Sequence, residues 1–478
     1  MKNILFIKVS QIIAILTIIA LGFFSFILIK ANFIPLRYLI VIISCFSIFD
    51  ILFTIVAFKQ MNGKVLFIFD LLAIVLIVLQ FFVGTKAYST LSFLKNNFVQ
   101  KENVYEYYVL ASKQSTFNNL NDVDVDTVYL FQDIESDTRL DNEIKSKVQK
   151  DFIFVEDLTE LLEKTSYNTE YVSILDSEIY NIEAEDNPTT VSNIKIIDKF
   201  TIKLSPSNSD KDTSNITQKP FIIYISGIDT RGEGMPVRSL SDVNIYMVVN
   251  PEDHKILLVH IPRDAYVQLH GTKGLKDKLT HAGSRGGIKL SKSTMADIFN
   301  IEADYYVRVN FHAVENLVNA VGGLTIYNDM NYTVHSAIDK ACNFKPGYND
   351  VDGRCALAFA RERKSYATGD AHRGENQEQI IKLLIEKISS SRTLVNNYEN
   401  ILKALDNTID TDLTEKNVST LVKMQLDTMP KWTIETQNIT GTGALKPTYS
   451  YPRQNLWVMD IDSNSLKQAQ EQIKELLN

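Results

Sequence analysis

Three apolar stretches open the chain, roughly residues 4–29, 38–58 and 65–83, and they constrain it more than any other feature. A helix needs about 20 apolar residues to cross the hydrocarbon core of a bilayer, so each stretch is long enough to span. A cleavable signal peptide would account for only the first, and no A-x-A-like site follows it. Residues 1–85 therefore read as a retained anchor of three transmembrane helices. Lys2, Lys8, Lys59 and Lys64 flank one side of this anchor, against Lys30 and Arg37 on the other. That positive-inside bias puts the N-terminus in the cytoplasm and everything after about Lys86 outside, as a multi-pass protein of the cell membrane. Asp50 and Asp70 fall within the second and third spans, where both could meet in the bundle. Buried packing contacts explain them better than a functional role, although intramembrane carboxylates are costly and often functional.

Charge divides the same way. Through Lys101 there are nine basic and two acidic residues, +7, which leaves −15 of the total −8 for the remainder. An acidic ectodomain excludes nucleic acid as a partner, because that needs a basic footprint. It leaves room for a local basic site for phosphate. At 478 residues the chain is too long for one ordinary domain. Of three cysteines, Cys45 lies in a span, and Cys342 and Cys355 lie beyond it. Outside the cell these two could pair or stay free, and their spacing matches no zinc pattern.

Residues 86–204 read as a small α/β accessory domain without a catalytic motif. Val, Ile, Tyr and Phe mark strands at 125–131 and 171–175, with a helix at 158–164 capped by Asp157. Residues 205–219, SPSNSDKDTSNITQK, carry no hydrophobic period and read as a linker. A catalytic domain follows over 220–478. FIIYISGID is an apolar run of the kind that forms a buried strand and delivers a side chain at its end. Further strands read at 243–249 and 255–261, and helices at 293–300, 312–321 and 377–389. This alternation argues for an α/β sheet covered on both faces.

The chemistry-bearing residues follow apolar segments. Asp229 ends the first strand of this domain, Asp242 opens the next, and Arg263 and Asp264 follow the third. Arg361 and Arg363 follow ALAFA as though at a strand end, and Asp370 and Arg373 come soon after. Loops after strands of an open α/β sheet converge at one edge, where such folds place ligands. Arginine forks pair bidentately with phosphate oxygens. Two aspartates suit Mg2+, which takes one or two carboxylates plus substrate phosphates. Together these are the parts of phosphoryl transfer by positioning and charge neutralisation. Each piece alone has a blander reading: R-x-R as a solvated strand end, a lone Asp as a helix cap, PRD as a turn.

In order, the pieces GIDTRG, SDVNIYMVVNP, IPRDAYV, DKLTHAG, YYVRVNF, LVNAVGGL, DGRCALAFARERK and GDAHRGENQ strongly resemble the LytR-CpsA-Psr family. The three-span anchor, the extra domain and DKLTHAG look most like its streptococcal CpsA capsule-attachment subgroup. The resemblance implies an α/β/α core with a central mixed sheet, an apolar interior for a polyprenyl tail and a diphosphate at its mouth. It implies a metal-dependent phosphotransferase of Gram-positive type. Such an enzyme moves a glycan phosphate, here capsular polysaccharide, from undecaprenyl pyrophosphate to peptidoglycan with Mg2+ or Mn2+. Carried onto this chain, Asp229 and Asp242 are the metal ligands. Arg263, Arg361, Arg363 and Arg373 bind the diphosphate, joined by Gln377 one helical turn on and by Arg231. Asp264 and Asp370 are general-base candidates that serve equally as partners for the arginines. His281 is structural. The chain departs from the family pattern at Leu240 and Asn376, where members often carry Arg, and Arg238 is a substitute candidate for the first. Other readings are a pyrophosphatase on the same lipid, a regulator of capsule or envelope genes, and a scaffold for capsule export and assembly proteins.

Overall fold

The computed structural model describes residues 2–59, 63–98, 102–132, 134, 137–205, 216–228, 234–334, 342–366, 370–390, 397 and 400–478, without the side chains of 2–5, 370 and 371. Most of the linker stretch, residues 206–215, lies outside the described residues. The chain divides into two compact units, 1–99 with 389–402 and 414–431, and 100–388 with 403–413 and 432–478.

The first unit contains helices α1 (Lys2–Ala31), α2 (Leu36–Phe58) and α3 (Gly63–Asn97). All three are long and apolar enough to cross a membrane. They meet through buried Ala14, Phe53, Ala57, Leu66 and Ala73, and their outer faces remain apolar and exposed, as lipid-facing surfaces are. Each of the two intramembrane carboxylates meets a hydroxyl of α1. Asp70 accepts a hydrogen bond from Ser10 at 2.7 Å, while Asp50 is met by Thr17. A further helix, Glu415–Thr428, belongs to this unit, opened by a capping box between Thr414 and Asn417. Its Asp427 pairs with Arg37 in the first turn of α2 at 2.9 Å.

The second unit begins with a sheet of five strands, β1 (Asn103–Ser112), β2 (Thr127–Phe131), β3 (Asp151–Val155), β4 (Ser173–Asp176) and β5 (Ile194–Leu204), in the order β3-β2-β4-β1-β5. Helices α4 (Thr138–Val148), α5 (Leu158–Tyr167), α6 (Ser177–Asp186) and α7 (Pro188–Val191) cover it. Asp157 caps α5 as expected, accepting from the Glu160 N–H. Alternating side chains send Val109, Val128 and Ile174 to one face and Leu110, Phe131 and Leu175 to the other, so both faces are buried.

The larger sheet has six strands. They are β6 (Phe221–Ile228), β7 (Ser241–Asn250), β8 (Lys255–His260), β11 (Tyr305–Asn310), β16 (Ile409–Thr411) and β17 (Thr433–Asn438), ordered β16-β11-β6-β7-β8-β17. It is mixed: β6-β7-β8 is an antiparallel meander, while β11 and β17 join in parallel. One face packs through Tyr224, Tyr246, Val248 and Val259 against Phe299 of α8 (Leu279–Phe299) and Ile473 of the C-terminal helix Ser463–Leu477. Helices α9 (Phe311–Ala320), α10 (Gly353–Arg361) and α11 (Asp370–Ser389) follow β11 in the chain. Between these elements lie the short strands β9 (Tyr266–Val267), β10 (Asp277–Lys278), β12 (Leu324–Asn328), β13 (Tyr332–Val334), β14 (Cys342–Phe344) and β15 (Gly347–Val351). A hairpin of β18 (Gly441–Pro447) and β19 (Asn455–Ile461) precedes the last helix.

Two expectations need correction. ALAFA is not a strand: it is the body of α10, opened by Asp352, which accepts from the Cys355 N–H. Its apolar residues recur at helical spacing (Ala356, Phe359, Ala360 buried), and five residues are too few to separate that from a strand by pattern. The helix read at 293–300 is the end of α8, which starts inside DKLTHAG and bends at Gly287.

Candidate active site at one edge of the mixed sheet

The strand directions collect the site. Because β6 and β8 both run antiparallel to β7, the ends of β6 and β8 lie beside the start of β7. The parallel strands β11 and β17 end at the same edge. Register then decides a contact. His260 pairs with Ile245, and Ile261 N–H donates to Asn244 O at 3.1 Å, so three residues further Arg263 comes opposite Asp242. Arg263 Nη1 lies 2.8 Å from Asp242 Oδ1, with both side chains largely buried. Asp264 is held on two sides, by Lys278 and by Arg263 Nε at 3.9 Å. Asp264 thus lies between two cations, the arrangement of an ion-pair partner for Arg263.

The arginines of the last motifs arrive on helices. Arg361 ends α10 with its guanidinium 4.7 Å from the ring of Phe311, the residue that follows β11 at this edge. Arg363, two residues beyond α10, is exposed and has no ion-pair partner among the described residues. Helix α11 is tied to the end of α10: Asn376 Nδ2 donates to Phe359 O at 3.0 Å and Gln377 Nε2 to Ala360 O at 3.3 Å. These bonds satisfy carbonyls that a helix C-terminus leaves open. Asn376, a departure from the family pattern, thus joins the two arginine-bearing helices.

Arg373 is buried against the end of β8. Gly374 packs on the His260 ring so closely that a Cβ would overlap it. Burial pushes the His260 imidazole down to about 4; a hydrogen bond with Asn438 opposes this and the Arg373 charge adds to it. Asn438 bridges His260 Nδ1 at 3.1 Å and Glu378 Oε2 at 2.8 Å. Burial raises Glu378 to about 7. Sequence reading missed Glu378, Asn438 and Lys278. Lys278 stood inside a quoted motif, whereas Asn438 enters through a parallel strand some 180 residues from His260, which no local pattern reveals.

Asp229 and Arg231 lie outside the described residues, as does the side chain of Asp370, whose backbone opens α11. Arg238 does not replace the arginine missing at Leu240: it pairs with Asp176 of β4 at 3.5 Å. Leu240 lines a cavity of about 20 Å3 with Leu158, Ile179 and Ile182. His281 is tied into the fold. Its Nδ1 lies 2.7 Å from Asp277 Oδ1, and Asp277 Oδ2 accepts from the Ser450 N–H and Oγ. Burial alone would raise Asp277, but His281 beside it and these hydrogen bonds hold it below the usual carboxylate range.

Among the described residues no group of three or more His, Cys, Asp or Glu is clustered as a metal cage. Asp242 offers a carboxylate at the edge, with one oxygen on Arg263. Since Mg2+ accepts one or two carboxylates and takes the rest from phosphate and water, this donor set fits it. Behind the edge, the face of the sheet opposite Tyr224 carries Ile225, Met247, Val307 and Val309 at its centre. All four are half-buried, whereas Ile223, Ile245 and Leu258 on the same face are buried. Cys342 and Cys355 form a disulfide with Cα atoms 5.5 Å apart, fastening β14 to the start of α10.

Comparison with known proteins follows this geometry. A polyisoprenyl-teichoic acid–peptidoglycan teichoic acid transferase of Enterococcus faecalis is 32% identical over 272 residues, covering 56% of this chain and 84% of that protein. One of the same name from Bacillus anthracis is 32% identical over 227 residues, 46% of this chain and 72% of that protein. Among solved structures, Bacillus subtilis TagV is 29% identical, with 54% of this chain and 98% of that chain covered and a TM-score of 0.45. A Streptococcus agalactiae protein is 26% identical, covering 56% and 91%, with a TM-score of 0.47. The family model described as LytR_cpsA_psr matches residues 180–475, more than half of the sequence, and the chain belongs to that family.

Proposed function

We propose that the chain transfers a glycan phosphate from undecaprenyl pyrophosphate to peptidoglycan on the outer face of the cell membrane, with capsular polysaccharide as the glycan. The observation that carries this reading is the Arg263–Asp242 pair at a sheet edge shared with the arginine-bearing helices. It lies within the stretch matched by the family model, whose relatives are named as glycopolymer–peptidoglycan transferases. The disulfide supports the outward placement, because such bonds persist in oxidising compartments.

In this mechanism the arginines do the positioning. Arg361, Arg363 and Arg373 hold the diphosphate, and Arg263, oriented by Asp242 and Asp264, neutralises charge developing on it. A muramic acid hydroxyl attacks the glycan-side phosphorus; the bond from that phosphorus to the bridging oxygen breaks, and undecaprenyl phosphate leaves. The hydroxyl proton passes to solvent. Asp242, with Asp229, would hold Mg2+ or Mn2+, which supplies further charge neutralisation on the departing phosphate.

The test is Arg363→Ala in cells lacking paralogues, with surface polysaccharide partitioned between wall and medium. Arg363 is exposed and its truncation spares the fold. Wall-bound glycan should fall at least about 10-fold while the total holds steady in the medium. A fall in total production with an unchanged bound fraction would favour regulation or an export scaffold. Release of free glycan phosphate by purified chain, with no acceptor product, would favour the pyrophosphatase.

A further inference from the structure

The segment that leads into Asp242 is held from three directions, and one of them is the accessory domain. Inside the core, Arg308 of β11 donates Nη2 to Pro236 O at 2.8 Å and to Ser239 Oγ at 3.1 Å. From α8, Gly283 O accepts the Ser239 N–H at 3.3 Å. Gly283 and Gly287 lie so close to the segment's carbonyls that side chains there would collide with Ser239 O and Val237 O; Gly287 also holds φ +64°. The third hold is Arg238. Its guanidinium reaches out of the core to Asp176, at the end of β4 in the accessory sheet, and 5.8 Å from it lies the ring of Tyr105 on β1. Both members of the ion pair are at least 94% buried.

A pair so withdrawn from water is costly to form and costly to break from one side. It is a poor device for general stability and a good one for fixing register, because a guanidinium and a carboxylate match in few geometries. Three residues separate Arg238 from Asp242, and β7 begins between them at Ser241. Around this point the two domains are also joined by Tyr451 Oη donating to Glu183 at 2.9 Å, by Arg285 4.3 Å from the ring of Phe131, and by an exposed pair between Arg453 and Glu163. The accessory domain therefore abuts the one segment of the core that delivers Asp242 to Arg263.

We propose that the accessory domain positions the catalytic edge: Asp176 holds Arg238, and with it residues 234–241, so that Asp242 meets Arg263. This rests on the site reading above and gives residues 103–204 a role in it. Asp176 and Arg238 are positioning residues, since neither touches the reacting groups.

The test uses the full chain in detergent micelles and the variant Asp176→Asn. Asparagine keeps the helix-capping bond that Asp176 accepts from the Glu178 N–H and removes only the charge. Two readouts are taken: hydrogen exchange of the peptide covering 234–242, and affinity for geranylgeranyl diphosphate as a probe of the diphosphate site. Exchange in that peptide should rise at least 10-fold, with the sheets of both domains unchanged, and the probe should bind at least 5-fold more weakly. Arg238→Lys should recover part of both relative to Arg238→Met. Arg453→Ala, which removes the outer contacts to Glu163 and Asp157 and leaves Asp176 and Arg238 in place, should leave both at wild-type values. Unchanged exchange at 234–242 in Asp176→Asn overturns the proposal, and so does raised exchange with unchanged affinity while Arg363→Ala weakens the probe. If Asp176→Asn unfolds, the comparison of Arg238→Lys with Arg238→Met decides on the same criteria. If Arg363→Ala leaves the probe affinity intact, the site reading fails, and exchange at 234–242 still decides whether the accessory domain fixes that segment.

Discussion

Glu378 and His260 face each other through Asn438 beneath Arg373, and their titrations oppose. Burial lifts Glu378 from 4.5 to about 7, so the folded state holds its proton more tightly than the unfolded chain does. Its contribution is complete below about pH 4.5 and is lost as pH rises through 7. His260 moves the other way, from 6.5 to about 4, so its contribution is complete above about pH 6.5 and is lost as pH falls through 4. Arg373 stands beside His260 and Glu375 beside Glu378. Glu378→Gln keeps an acceptor for Asn438 and deletes the acidic titration. Thermal unfolding should show the variant more stable than wild type at pH 8.5, by an amount on the order of 3 kcal/mol, and little different at pH 4.5. Equal stability at pH 8.5 would mean that Glu378 ionises without penalty in the folded chain. The residue-scale lesson concerns Arg263 as well: its contact with Asp242 follows from strand register, so both residues were legible as a pair of motifs, whereas the Lys278–Asp264 pair behind them was not.

At the scale of elements, α11 is the sensitive part. It brings Arg373, Gln377 and Glu378 to the edge in little more than one turn, and it can approach β8 only because position 374 has no side chain. The alternative to a close approach is a helix displaced outward, which would part Gln377 from Ala360 O and move Arg373 off His260. Gly374→Ala adds intrinsic helix propensity of up to about 1 kcal/mol and so ought to stabilise an unconstrained helix. Here the overlap with the His260 ring should dominate, as overpacking costs about 1–3 kcal/mol. A lower Tm is expected, and His260→Ala in the same chain should restore part of it by opening the space. A higher Tm for Gly374→Ala alone would show that α11 sits further from β8. The helix α10 explains why a sequence pattern fell short: with five residues, ALAFA fits a buried strand as well as a helix, and the Asp352 cap that resolves it precedes the apolar run.

For the whole molecule, the decisive quantity is the split between an apolar, basic N-terminal part and an acidic remainder. The ion pair between Arg37 and Asp427 adds a structural constraint, since it puts the start of α2 and helix Glu415–Thr428 on one side of the membrane. On the proposed topology, in which the more basic loops face the cytoplasm, that side is the outer one. A chain with Cys45, Cys342 and Cys355 replaced by Ser, carrying a single cysteine at Thr442, should react in intact cells with a membrane-impermeant maleimide. The same background with the cysteine moved to Lys64 should react only after permeabilisation. The reverse pattern would invert the topology and remove the proposed access to peptidoglycan.

The sequence by itself determined the three apolar helices, the family and the order of its charged motifs, because composition and local spacing carry those properties without reference to distant residues. The strands read at 125–131, 243–249 and 255–261 were legible for the same reason, each differing from the observed element by a residue or two at its ends. Only the tertiary structure decided that the large sheet is a meander joined by parallel strands, that Arg238 turns to Asp176, and that Asn438 stands between His260 and Glu378. These are pairings between segments tens to hundreds of residues apart. They are selected by packing and by the cost of leaving buried charges unmatched, which no short window of sequence contains.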